Sequence, residues 1–200
     1  MQYTKNSWYN RNCYLNNKKS AYFTFPVERN SHKSNINEKN ISESFYRKKL
    51  LKKIKHAYGK APYFHEAFEI FEKSINYPSE NLLEYNCFSL KLVSKYLNIK
   101  TKFLISSKLN INKSFKGKDK IIAICKELGA EEYHNSIGGI ELYSKKDFAN
   151  NNIKLIFIKP LYFEYEQFGN EFVPSLSIID IMMFNSQKDI KNFLNHYELI

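Results

Sequence analysis

Asp180 is the one charge in the apolar run from Leu176 to Phe184, set among Ile178, Ile179, Ile181 and Met182. An unpaired buried charge is expensive, so this carboxylate caps a helix, pairs with a partner or performs chemistry. Ser177 lies three residues earlier, the offset of a capping box with Asp in place of Glu or Gln, and Pro174 with Ser175 suits a helix start. A helix N-terminus and a general base are both open for it. A second group of interest is Ser136-Ile137-Gly138-Gly139. Two glycines let backbone N–H groups approach a ligand closely, so the turn can cradle phosphate or a developing oxyanion, or be a plain turn. His134 sits at the strand end beside it, placed either for proton transfer or as an ordinary surface histidine.

Several chemistries find no motif. No serine lies in a GxSxG elbow, and the glycine turn has neither GxGxxG nor P-loop spacing. HEAFE at His65 lacks the second histidine of a zinc protease. Cys13, Cys87 and Cys125 are widely spaced without CxxC, so they read as reduced thiols and no metal site is expected. The sequence names no cofactor.

The elements that must position these groups follow from periodicity. Tyr22 to Val27 has strand composition, ended by Pro26, and Glu28 to Ile41 is a polar loop. A helix is expected from Ser42 as N-cap to Gly59, with Tyr46, Leu50, Ile54 and Ala57 on one stripe and lysines elsewhere. A second begins at Pro62 and turns Phe64, Phe68 and Phe71 to one side. A third spans Ser79 to Leu97, with Leu82, Leu83, Asn86, Leu90, Val93 and Leu97 inward; Asn86 there must find hydrogen-bond partners. A strand from Thr101 to Ser107, a helix at 119–128, a strand at 131–135, a helix at 145–150 and a strand at 153–158 complete the alternation. The expected class is α/β: a small mixed sheet, at least partly parallel, flanked by several helices.

Two hundred residues, 43% hydrophobic and 26% charged, suit one globular domain over 1–200. No run reaches the roughly 18–20 apolar residues of a membrane span and no signal peptide is visible, so no membrane span and a cytoplasmic location are expected. The net charge of +11 is confined to the front. Residues 1–60 hold 14 Lys and Arg against 3 Glu, and the rest is balanced. Such a segment is a solvated face or attracts a phosphate-rich partner: nucleic acid, nucleotide-sugar, acyl carrier or anionic lipid.

WYNRN at Trp8 to Asn12, FPV at Phe25 to Val27, APYF at Ala61 to Phe64, Ser106-Ser107, YHNSIGG at Tyr133 to Gly139, Tyr165 with Gln167, and FVPSLSIIDIM at Phe172 to Met182 occur in an order that resembles the WbqC-like family. No single one is specific; their order across nearly the whole chain carries the resemblance. It implies a cytoplasmic transferase of O-antigen or other surface-polysaccharide biosynthesis, with glycyl or aminoacyl transfer to an amino sugar as the suggested step. The implied partners are a nucleotide-sugar or carrier-linked amino sugar and an acyl or aminoacyl carrier, with no nucleic acid. Acyl transfer to an amine needs a base and oxyanion donors. Asp180 or His134 then serves as base, Ser136, Gly138 and Gly139 form the turn with the glycine amides as donors, Arg11 clamps phosphate, and Asn10, Asn12 and Gln167 orient the sugar. Tyr165, Gln167, Ser177 and Asp180 form one recurring pattern and one wall of the site. A non-catalytic binding module gripping its partner through the basic N-terminal third is the alternative. Two departures stand out: the family's leading strand and HQPxYxPW-like segment have no counterpart, so an N-terminally truncated domain is expected, and Ile137 replaces a common glycine, which makes the turn less permissive.

Overall fold

Asn17 and Lys18 both take the left-handed backbone conformation, φ 49° and 61°, and fold Arg11–Asn16 (β1) back on Lys19–Thr24 (β2) as an antiparallel hairpin. Positive φ at both central residues matches the twist of a two-residue hairpin turn. The computed structural model describes residues 2–28, 34–169 and 171–200. Part of the loop expected at 28–41, residues 29–33, lies outside the described residues. The chain forms two compact units, Met1–Lys100 with Glu164–Asn192, and Thr101–Phe163 with Phe193–Ile200.

In the first unit the hairpin packs with four helices: Arg47–Tyr58 (α1), Phe64–Ile75 (α2), Leu82–Tyr96 (α3) and Ile178–Phe184 (α6). The expected strand at 22–27 is shifted to 19–24: Phe25 N still donates to the Asn10 carbonyl in register at 2.7 Å, but Asn10 N turns to the Ser7 carbonyl (3.1 Å), so the ladder ends there. α1 starts at Arg47 and not just after Ser42, since Ser42 Oγ accepts from Ser44 N (3.3 Å) and Phe45 N reaches the Ser42 carbonyl (2.9 Å), a turn that buries Phe45. α3 is capped by Asn81, whose Oδ1 accepts from Leu83 and Glu84 N–H groups. Leu15, Ile54, Ala67, Ile75, Leu82, Met182 and Met183 are buried to 2% exposure or less and form the core. Burying each large side chain contributes about 1.5–3 kcal/mol.

The second unit is built on a three-stranded sheet in the order β3-β4-β5, with Glu132–Ser136 (β3) parallel to Lys154–Pro160 (β4), and Tyr197–Leu199 (β5) antiparallel to β4. A parallel pair needs a crossover. Here it runs through a 3-10 turn at Ile137–Gly139 and the helix Lys145–Ala149 (α5). Gly117–Glu127 (α4) adds Ile122 and Cys125 to a core with Phe148, Ile153, Leu155 and Phe157. Thr101 to Ser107, expected as a strand, forms no ladder: Phe103 and Leu104 stay exposed and Ser106–Lys108 closes in a 3-10 turn. Among the described residues a mixed sheet and seven α-helices make the protein α/β. The last helix, Gln187–Phe193 (α7), buries Ile190. Among the described residues no helix is long and apolar enough to cross a membrane.

Candidate functional site

In the first unit a cleft of about 680 Å³ opens between the hairpin, α2, α3 and α6. Its walls come from alternation. Asn12 and Phe23 are register partners across the hairpin and both face the cleft. Successive strand residues face opposite ways. Arg11 therefore falls on the other face, where its guanidinium lies 3.7 Å over the Tyr22 ring. Phe25, Phe71, Tyr85 and Met182 line the buried part, while Trp8 (64% exposed), Leu90 (56%) and Ile178 stand at its open side. Leu90, expected inward on α3, is thus a cleft residue and not a core residue.

Polar atoms in the cleft are neutral. Asn12 donates Nδ2 to the Trp8 carbonyl (3.1 Å) and Asn86 donates Nδ2 to the Tyr9 carbonyl (2.9 Å), which orients each Oδ1 as an acceptor. Ser89 Oγ donates to the Asn86 carbonyl at 3.0 Å, and Ser177 Oγ accepts from Ile179 N at 3.4 Å as the cap of α6. Among the described residues, no Asp, Glu, Lys, Arg or His lines this cleft, although the chain carries +11.

Asp180 sits on the opposite side of α6, fully buried. Tyr58 donates its hydroxyl to Oδ1 at 2.7 Å; Tyr165 Oη and Gln167 Nε2 donate to Oδ2, each at 2.7 Å. Tyr58 Oη in turn accepts from Leu15 N at 2.7 Å, so the carboxylate ties α6 to α1 and β1. Burial pushes the Asp180 carboxyl above its ordinary value, and the three donors oppose that shift. Burial, and then the Asp180 charge, push Tyr58 and Tyr165 upward, so both stay protonated donors. Tyr165 and Gln167 also line a shallow depression of about 380 Å³ rimmed by Glu164, Glu166 and Glu171.

Of the other residues singled out from sequence, Asn10 is buried, donating Nδ2 to the Phe25 carbonyl (3.1 Å) and to Tyr3 Oη (3.3 Å). His134, Ser136, Gly138 and Gly139 belong to the second unit. His134 is exposed, with Nε2 at 3.1 Å from Glu132 Oε2, and Glu132 also takes Lys154 at 3.2 Å. The glycine turn needs no positive φ. Gly139 matters for a different reason, since a Cβ there would lie 2.2 Å from Asn135 Nδ2 and the Asn135 side chain would have to move. The structure thus gathers Tyr165, Gln167 and Asp180 in one network, and Asn12 and Ser177 in one cleft.

Tyr58, Trp8 and Asn86 complete these two sites. Tyr58 follows the inward Ile54 by four residues, a spacing that turns it inward without naming its partner, whereas Asn86 is marked by its need for hydrogen-bond partners.

The model of the WbqC-like protein family matches residues 1–192. The chain belongs to this family. Both the cleft and the Asp180 network fall inside the matched span. A relative in Mycobacterium tuberculosis (strain H37Rv), the uncharacterized protein Rv1507c, is 25% identical over 200 residues, covering 98% of this chain and 85% of that protein. No solved structure matches the chain.

Proposed function

We propose that this WbqC-like protein is a transferase of surface-polysaccharide assembly that holds an amino sugar in the cleft and acylates its amine, with glycyl or another aminoacyl group as the transferred unit. The supporting observation is the cleft itself: an apolar, aromatic floor, an exposed indole at the mouth and neutral acceptors on Asn12 and Asn86. A sugar ring offers apolar C–H faces to aromatic side chains and hydroxyls to amide oxygens. A cleft lined by no carboxylate among the described residues also gives an ammonium ion no counter-charge to hold its proton, which favours the free amine that attacks an acyl carbonyl. In the transfer, the new C–N bond forms, the bond from carbonyl carbon to the carrier oxygen or sulfur breaks, and the amine proton leaves with the carrier or solvent. The phosphate of a nucleotide-linked sugar then lies outside this cation-free space. Asp180 serves here as a positioning residue that fixes α6, one wall of the cleft.

Trp8 is the single tryptophan of the chain, so its fluorescence reports the cleft directly. Titration with free and nucleotide-linked amino sugars is expected to give saturable changes, weakened about tenfold by Asn86→Ala, the worth of one good hydrogen bond. Absence of a saturable change with every amino sugar tried removes the assignment.

A further inference from the structure

The outward side of α1 carries only basic side chains. At 3.6 residues per turn, Lys55, Lys48, Lys52, His56, Lys49 and Lys53 follow one another around an arc of about 160°. These six are all the exposed residues of the helix. Its remaining positions, among them Leu50, Ile54 and Tyr58, are taken up by the core. No acidic residue occurs between Glu43 and Glu66. Among the described residues none of these five lysines is in an ion pair, although lysines elsewhere do pair: Lys73 with Glu69 and Lys118 with Asp147.

Uncompensated like charges on one helix raise the free energy of the isolated protein through mutual repulsion, and an anionic counter-surface relieves it. We propose that this face of α1 is a docking strip for an anionic lipid bilayer, on which the protein lies peripherally. Three features favour a bilayer over a nucleic acid. The strip is the outer face of a single helix, a convex surface. It has no Asn, Gln, Ser, Thr or Arg to read bases or fork onto phosphates, since Arg47 turns inward and donates Nε to the Ile75 carbonyl at 3.1 Å. The exposed aromatic beside it is Tyr46, 75% exposed just before the helix, a residue type at home at the lipid headgroup level. With the apolar stripe in the core, α1 does not insert, so attachment rests on charge alone and is sensitive to salt.

Co-sedimentation of the full chain with phosphatidylcholine vesicles, with and without phosphatidylglycerol, tests this. The expected result is binding only to the anionic vesicles at low salt, reduced about tenfold or more in a variant with Lys48, Lys49, Lys52, Lys53 and Lys55 all changed to Gln. The same five positions changed to Arg retain binding, and both variants keep the far-UV circular dichroism of the parent because all five are exposed. The proposal is overturned by absence of binding to anionic vesicles at low salt, by binding that the Gln variant leaves unchanged, or by a duplex DNA that binds while the vesicles do not. If the Gln variant misfolds, the opposite-charge substitution K52E alone supplies the comparison: weaker binding supports the strip and unchanged binding overturns it.

Discussion

Asp180 and His134 carry the same chemical expectation in surroundings that differ in everything that governs a side chain. Asp180 is fully buried, both its oxygens are occupied, and its three donors come from α1 and from the segment at 165–167. His134 lies on the exposed side of β3 with one carboxylate neighbour two residues away. The first is part of what holds its unit together, whereas the second is a side chain its unit can lose. A titratable residue in a suggestive stretch is thus identified by what surrounds it, and sequence supplies only the stretch.

The sharpest way to break this contrast is to remove each side chain. Asp180→Ala leaves two tyrosine hydroxyls and an amide without their acceptor and is expected to destabilise the first unit by about 3–5 kcal/mol, followed in urea by Trp8 fluorescence. His134→Ala is expected to stay within about 0.5 kcal/mol by circular dichroism. Equal losses in the two variants would erase the distinction. A smaller effect tests whether the second unit's turn is a packing device: Gly139→Ala must displace Asn135 and is expected to lose about 1–3 kcal/mol, while Gly138→Ala, which meets nothing within 4 Å, is expected to be neutral. Hydrogen exchange in β3 distinguishes them. The finest effect is in pH. Because burial raises the Asp180 pKa in the folded state, the native protein binds that proton more tightly than the unfolded chain. The stability from this group is full below the ordinary Asp value of about 3.9 and is lost as pH rises through the folded value. Stability of the parent relative to Asp180→Asn is expected to fall as pH rises across that window in urea melts; a flat or rising difference contradicts the burial argument.

Much of the architecture was legible because helices announce themselves. The stripes of α1, α2 and α3, and the β3 and β4 segments separated by α5, lie within a few residues of where periodicity puts them. β1 was not legible: Arg-Asn-Cys-Tyr-Leu-Asn has little strand character, and its turn uses Asn17-Lys18 with no glycine. Thr101 to Ser107 shows the reverse failure, strand composition without a neighbouring strand to pair with. At the site, Ser177 was visible as a cap, but the fate of Asp180 depended on Tyr58, 122 residues away in the chain. Long-range partnership of that kind leaves no periodic trace. The cleft was equally hidden, because Leu90 and Phe71 continue helical stripes whose other members are core.

Gln167 does more than meet Asp180. Its Oε1 accepts from Val173 N at 2.8 Å and its Nε2 donates to the Val173 carbonyl at 3.2 Å, so one side-chain amide imitates a rung of β-ladder across the intervening loop. The same Nε2 binds the carboxylate at 2.7 Å. The backbone at Val173 and the charge at Asp180 are therefore coupled through a single nitrogen, and the Val173 amide proton becomes a spectroscopic window on a carboxylate that no solvent molecule reaches.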